Sequence, residues 1–239
     1  MEVDFKRKDK ANVAVLIDPD KATIPSLQRL IDEGLSAGVD FFFVGGSLLI
    51  KDQFHSTIEI LKSQQQIPVV IFPGNQMQVD VRADGLLFLS LLSGRNAEYL
   101  IGQQVAAAPG IRAANIKTIA TAYLLIDGGR TSSTAYITQT QPIPADREDL
   151  AVATVLAAEM LGFQCIYLEA GSGALHPVSE RMVASVKGQT HLPVLVGGGI
   201  RDGQTAAKII KAGADTVVIG NVLERHPELV REICAAAKA

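Results

Sequence analysis

The sequence predicts a single (β/α)8 barrel over residues 1–239, and three observations carry that prediction. Eight short apolar runs recur along the chain, mostly alternating with stretches of helical period, the pattern of parallel strands joined by crossover helices. The runs carry little polar alternation, as strands covered on both faces should. Small and polar residues collect directly after them, and a barrel gathers all its strand C-termini on one face. A doubly wound open sheet is the structural rival, but it leaves that last feature unexplained. No linker interrupts the pattern, so one domain is expected, with residues 1–11 a charged tail.

The first strand, residues 13–17, ends in Asp18-Pro19-Asp20-Lys21. Residues 24–37 then place Ile24, Leu27, Leu30, Ile31 and Leu35 at helical spacing. The second strand, 39–44, runs into Gly45-Gly46-Ser47, and a mixed helix is expected over 51–64. The third strand, 67–72, is broken by Pro73-Gly74-Asn75, and the fourth begins near Leu86. About ten residues between them are too few for a full crossover helix. A helix over 96–108 is expected to stop at Pro109-Gly110. After the fifth strand, 118–126, the polar stretch 136–144 reads as a long loop, a common place for function. A helix over 147–161 leads to the sixth strand at 165–168, and Pro177 opens the next helix. The seventh strand, 192–196, ends in Gly197-Gly198-Gly199, and Asp202 caps a helix to Ala212. The eighth, 216–219, ends in Gly220-Asn221, and a helix over 228–237 closes the chain.

Composition narrows the function. Hydrophobic residues make up 48% of the chain, ample for a sizeable core. A net charge of −3 and the absence of tryptophan argue against a nucleic-acid binder, which needs a basic face and stacking aromatics. The cysteines, Cys165 and Cys234, are too few for a disulfide scaffold and suit a cytoplasmic protein. No run approaches the ~20 apolar residues of a transmembrane segment, and the charged N-terminus lacks the apolar run of a signal peptide. The exposed charges of Lys6 to Lys10 read as solvated.

The chemistry centres on the end of the sixth strand, Tyr167-Leu168-Glu169-Ala170-Gly171-Ser172-Gly173-Ala174. Glycines so spaced let backbone N–H groups turn toward an anion. In a barrel the loops after strands seven and eight commonly hold phosphate, and here they are Gly198-Gly199 and Gly220-Asn221. Three adjacent glycine loops, with the Ser172 hydroxyl, predict a phosphate monoester site. Across the mouth, Asp18 and Ser47 offer the hard oxygen ligands that suit Mg²⁺ together with substrate phosphates. Lys21 stands beside them as a further cation. Two anion sites flanking Glu169 suggest transfer between two phosphorylated molecules, with Glu169 taking a proton from an attacking hydroxyl. Tyr167 shares its inward phase and is placed to bond the same acceptor. The histidines His55, His176, His191 and His226 are scattered and form no ligand set.

Together with Phe72-Pro73-Gly74-Asn75-Gln76 and the Asp18 and Ser47 motifs, these loops resemble the geranylgeranylglyceryl phosphate synthase family, which includes bacterial heptaprenylglyceryl phosphate synthases. The resemblance covers residues 12–232. It implies a modified barrel whose third helix is replaced by an irregular segment. It also implies Mg²⁺-dependent transfer of a prenyl group from a polyprenyl diphosphate to the 3-hydroxyl of sn-glycerol 1-phosphate. By that likeness Asp18 and Ser47 hold the metal. The segment from Tyr167 to Gly173, with Gly198, Gly199, Gly220 and Asn221, holds glycerol 1-phosphate. Glu169 is base or carbocation stabiliser. The full Glu-Ala-Gly-Ser-Gly-Ala loop is similar to the archaeal-type second group, so geranylgeranyl diphosphate is the favoured donor, with a membrane-associated product. A homo-oligomer, dimer or hexamer, is also implied. The competing readings are an isomerase of a phosphorylated sugar, pairing Asp18 with Glu169, and a non-catalytic phosphate-binding barrel.

Overall fold

The computed structural model describes all residues 1–239. Eight parallel strands close into a barrel in sequence order, with the last beside the first. They are β1 Asn12–Ile17, β2 Phe41–Val44, β3 Val69–Ile71, β4 Gly85–Leu91, β5 Thr118–Leu125, β6 Cys165–Glu169, β7 Val194–Gly197 and β8 Thr216–Ile219. The helices outside are α1 Ile24–Ala37, α2 Phe54–Lys62, α3 Gln103–Ala114, α4 Ser133–Thr138 and α5 Glu148–Met160. They are followed by α6 Glu180–Lys187, α7 Gly203–Lys211, α8 Asn221–Arg225 and α9 Leu229–Ala237.

Strand alternation sorts the core into two layers. Phe41 and Phe43 join Val70, Leu87, Tyr167 and Leu195 inside the barrel. Phe42, Val44, Ile166 and Leu168 face the helices. Both faces are apolar because both are buried, which is why the strands read as continuous apolar runs. On β6 this alternation turns Cys165, Tyr167 and Glu169 to the same inward side.

The barrel's N-terminal end is tied by a repeated device. The residue just before each even-numbered strand accepts an amide from the start of the odd-numbered strand beside it. Asp40 takes Val13 N at 2.8 Å, Asp84 takes Val69 N at 2.8 Å, Gln164 takes Ala120 N at 2.8 Å and Asp215 takes Val194 N at 2.8 Å. Each aspartate also holds a lysine: Lys238 on Asp40, Lys62 on Asp84 and Lys187 on Asp215.

As expected, β3 and β4 are joined without a crossover helix. Inside this irregular connection Gln78 is buried and bridges two loops, accepting from Gly74 N at 3.2 Å and donating to the Gly46 carbonyl at 2.9 Å. Asp80, also buried, bonds Arg82 and His55, and these partners hold its carboxyl far below the usual range against the cost of burial.

Three expectations are corrected. The N-terminal tail is in part a plug: Val3 and Phe5 are buried. Phe5 packs edge-on against Phe41 and Phe43, with ring centroids 5.1 and 5.6 Å apart. Its carbonyl accepts from Asn12 Nδ2 and Thr216 Oγ1. The open end of a barrel needs apolar closure, and two apolar residues among many charges carry no periodic signal. Lys6 to Lys10 are exposed, as read. Next, Pro109 does not end its helix. A π-helical turn, Glu98–Gly102, feeds α3, which runs through Pro109 to a left-handed stop at Asn115, φ 53°. Pro109 lies on the solvent side, where the carbonyl it leaves without an amide can bond water. Finally, the stretch read as loop from Tyr136 begins inside α4, capped by Ser132 Oγ accepting from Ala135 N at 3.1 Å. One turn is too short to show a period.

Candidate active site

Glu169 ends β6 at the C-terminal mouth, with 5% of its surface exposed. Its Oε1 accepts the Gly171 amide at 2.7 Å. Burial pushes its carboxyl up to about 7, with the Gly171 amide and the nearby Tyr167 hydroxyl pulling back only partly. That value is poised for proton transfer near neutral pH. Tyr167 lies beneath it, fully buried, its ring stacked on Phe72 at 5.2 Å and 11°. Tyr167 lines the mouth cavity, and its buried hydroxyl, although close to Glu169, has no hydrogen-bond partner of good geometry in the chain. An orphaned buried hydroxyl at a cavity wall marks a place for a ligand oxygen.

Glycines let the β7 loop close over this carboxylate. A Cβ on Gly198, at φ +82°, would stand 2.5 Å from Glu169 Oε1, so no other residue fits without displacing the acid. Around the mouth, the amides of Ser172, Gly173, Gly198, Gly199 and Gly220 donate to no acceptor in the chain. Asn221 Nδ2 donates to Ser172 Oγ at 2.9 Å, linking the β6 and β8 loops. Unengaged amides converging from three loops form an anion cradle.

Across the mouth, Asp18 after β1 and Ser47 after β2 line the same cavity of about 1060 Å³. Asp18 Oδ2 holds Lys21 Nζ at 3.2 Å, and that lysine also meets Glu224 at 3.1 Å. Burial works against the Lys21 charge, but Glu224 and Asp18 raise its pKa on balance. Ser47 Oγ shares a hydrogen bond of 2.9 Å with Thr134 Oγ1 on α4. Asp20 does not enter the cavity lining; its carboxylate accepts the amides of Ile50 and Lys51 and shapes the β2 loop.

Of the glycerol phosphate contacts expected from sequence, Tyr167, Glu169, Ser172, Gly173, Gly198, Gly199, Gly220 and Asn221 line this cavity. Leu168, Ala170 and Gly171 do not. Alternation sends Leu168 to the helix-facing layer, and Ala170 packs there with it. The Ala170 amide bonds the Gly197 carbonyl and the Gly171 amide bonds Glu169, so neither is free for an anion. These residues shape the loop from behind.

The PcrB family model matches residues 6–238. The chain belongs to the PcrB family. A relative from Chitinophaga pinensis named geranylgeranylglyceryl phosphate synthase is 44% identical over 237 residues, 99% of this chain and 94% of its own. Another of that name, from Korarchaeum cryptofilum, is 37% identical over 242 residues, 100% of this chain and 99% of its own. The crystal structure of (S)-3-O-geranylgeranylglyceryl phosphate synthase from Thermoplasma acidophilum in complex with sn-glycerol-1-phosphate is 36% identical. It superimposes with a TM-score of 0.91 over 96% of this chain and 94% of that one.

In this PcrB-family chain the cavity continues from the cradle into an apolar arm. Leu86 and Phe88 on the helix-facing side of β4 line it with Ala107 and Ile111, and Leu89 and Tyr99 line it from the barrel-interior side. Phe88 and Ile111 also line a second cavity of about 380 Å³ beyond. Sequence reasoning did not locate the residues of this arm because part of its lining belongs to a helix that buries only Ile111, so no amphipathic stripe announces it. It also missed Arg130, Arg201 and Arg225 at the mouth. A signal existed for Arg130, which directly follows Gly128-Gly129 in a strand-end loop. Arg201 and Arg225 stand at helix starts and ends, where arginines are usually solvated.

Proposed function

We propose that this chain transfers a prenyl group from a polyprenyl diphosphate, with geranylgeranyl diphosphate favoured, to the 3-hydroxyl of sn-glycerol 1-phosphate. The observation that carries the reading is one cavity with two unlike arms meeting at a buried carboxylate. Unengaged amides and apolar side chains line the same cavity as Glu169. A small phosphate ester suits the first and an isoprenoid tail the second. The names of the PcrB relatives agree with it.

In the reaction, the acceptor's phosphate sits on the amides of Ser172, Gly173, Gly198, Gly199 and Gly220, which aims its far hydroxyl toward Glu169. Oxygen attacks the first prenyl carbon, the C–O bond to diphosphate breaks, and the hydroxyl proton passes to the Glu169 carboxylate. Tyr167 Oη donates to an oxygen of the acceptor and fixes its angle. The same carboxylate, close to the reacting carbon, offsets positive charge developing on the allyl group. A buried carboxylate is disfavoured before the reaction and relieved by gaining a proton, so burial favours the transfer.

Asp18 and Ser47 would hold Mg²⁺. One carboxylate and one hydroxyl fit a hard ion that keeps waters and takes its remaining ligands from substrate phosphates. No cluster of three acidic, histidine or cysteine side chains offers a dedicated cage. An ion held there would supply positive charge to offset the negative charge of the departing diphosphate. Lys21, now on Asp18, supplies a second positive charge at that end. The reading also includes a cytoplasmic homo-oligomer, dimer or hexamer, releasing a membrane-associated product. Ile101 and Val105, exposed one turn apart on the outer side of Glu98–Ala114, are apolar surface for such an assembly. No helix is long and apolar enough to cross a membrane.

The test is turnover of labelled sn-glycerol 1-phosphate with farnesyl, geranylgeranyl and heptaprenyl diphosphates, with and without Mg²⁺. An organic-soluble ether product, best with geranylgeranyl diphosphate and lost on chelation, is expected. Absence of product with every donor would overturn the reading and favour a phosphate-binding isomerase.

A further inference from the structure

The cradle built by the three glycine loops supplies dipoles and no formal positive charge. A phosphate monoester at neutral pH is close to a dianion, and here it would lie beside Glu169, itself an acid. Backbone amides lessen that repulsion without cancelling it, so a full positive charge on the open side strengthens binding.

Arg130 stands on that side. Its Nη1 lies 3.8 Å from where a Cβ on Gly173 would be, and its side chain lines the cavity together with Ser172, Gly173 and Gly199. It forms no ion pair, since every salt bridge of the chain joins other residues. Its guanidinium also donates to no acceptor, unlike Arg201 at the same mouth, whose Nη2 donates to the Ala174 carbonyl at 2.5 Å. The acid three residues before Arg130, Asp127, accepts the Gly129 amide at 2.8 Å and forms no ion pair with it.

The backbone that presents Arg130 is held in place while its side chain is not. The Gly128 carbonyl accepts the amides of Leu175 at 2.9 Å and His176 at 3.1 Å, tying the β5 loop to the β6 loop. Gly129 turns through φ +84°, with His176 Cδ2 3.0 Å from where its Cβ would be, and so delivers Arg130 to the mouth. The result is an anchored stem carrying an unpaired guanidinium beside unengaged amides.

We propose that Arg130 is a direct ligand of the acceptor's phosphate, closing the cradle on the side that the glycine loops leave open. This rests on the prenyl-transfer reading above. The guanidinium fork donates two parallel N–H groups to phosphate oxygens, which a lysine's point charge does not reproduce. Its charge also offsets the repulsion between the phosphate and Glu169.

Two variants test this, R130M and R130K, with sn-glycerol 1-phosphate affinity measured by calorimetry and turnover by saturation kinetics. Loss of a charge-assisted contact should raise Kd and KM for sn-glycerol 1-phosphate about 10- to 100-fold in R130M, with kcat at saturation close to wild type. R130K should fall between, and the salt dependence of Kd should flatten in R130M. Thermal midpoints should match wild type, because the side chain is exposed and bonded to nothing. R130M binding within about two-fold of wild type would overturn the assignment and leave prenyl transfer standing. Wild-type protein that neither binds sn-glycerol 1-phosphate nor makes product would overturn both. Should R130M fold poorly, R130K alone decides, by whether its Kd rises or stays at the wild-type value.

Discussion

The two ends of this barrel use similar residue types in opposite ways. At the N-terminal end, Asp40, Asp84 and Asp215 each accept a strand amide and a lysine. Those carboxylates have partners throughout. At the C-terminal end, Glu169 is buried with one amide, its pKa pushed up to about 7, while five loop amides and the Tyr167 hydroxyl lack acceptors in the chain. Satisfied polar groups hold a structure together, and unsatisfied ones wait for a ligand. One end therefore secures the barrel and the other is open to a ligand.

The largest effect is expected at Glu169. Glu169→Gln should lower turnover by about 10²- to 10⁴-fold while sn-glycerol 1-phosphate still binds. The same change should stabilise the fold at alkaline pH. Folded Glu169 keeps its proton to about pH 7, against an ordinary 4.5. The folded state therefore binds more protons than the unfolded chain between those values, and stability falls as pH rises through the window. The cost above pH 7 is roughly 3 kcal/mol, and Gln does not bear it. Melting curves of both proteins at pH 4 and pH 8 check this. Equal shifts at the two pH values would contradict a buried, raised carboxyl.

At the other end, Phe5→Ala removes the plug and should cost about 3 kcal/mol of stability, leaving kcat unchanged at temperatures where the protein stays folded. A change in kcat with no loss in denaturation midpoint would mean the plug is tied to the site. Asp84→Asn should have a smaller effect, about 2 kcal/mol, again with turnover intact. Burial opposes the Asp84 charge, but Lys62, the N-terminal ammonium and Val69 N outweigh it and lower its pKa. Its stabilising share is present above the unfolded pKa and fades as pH falls through the folded value, so wild type and variant should converge in acid. Finest of all, Asp18→Asn should raise the Mg²⁺ concentration at half-maximal rate several-fold without moving the melting midpoint. A Mg²⁺ titration matching wild type would remove Asp18 from the metal.

Much of this was legible from residues alone. Eight apolar runs are visible because parallel strands are buried on both faces, and the loops after β6 and β7 are visible because Gly171, Gly173, Gly198 and Gly199 turn through positive φ, which other residues rarely adopt. Asp18, Ser47 and Glu169 follow from their places at strand ends. The segment of 72–84 could be read as irregular from its length, yet not that Gln78 and Asp80 would be its buried ties. Pro109 misled because its effect depends on whether its side of the helix faces solvent. The plug at Phe5 was hidden among charges, and Leu168 and Ala170 were grouped with their neighbours although alternation and backbone bonding turn them away.

By itself, then, the sequence determined what depends on local pattern: strand number, their buried character, and which loops can bend around an anion. Only the tertiary structure decided which of those groups remain without partners. The raised carboxyl of Glu169 comes from neighbours distant in sequence that exclude water, such as Gly197 and Gly198. The freedom of Arg130 depends on no acid having folded against it. The apolar arm is lined by residues of β4 and α3 that the fold brings together. Burial, pairing and cavity are properties of surfaces brought together by the fold, and no single stretch of chain contains them.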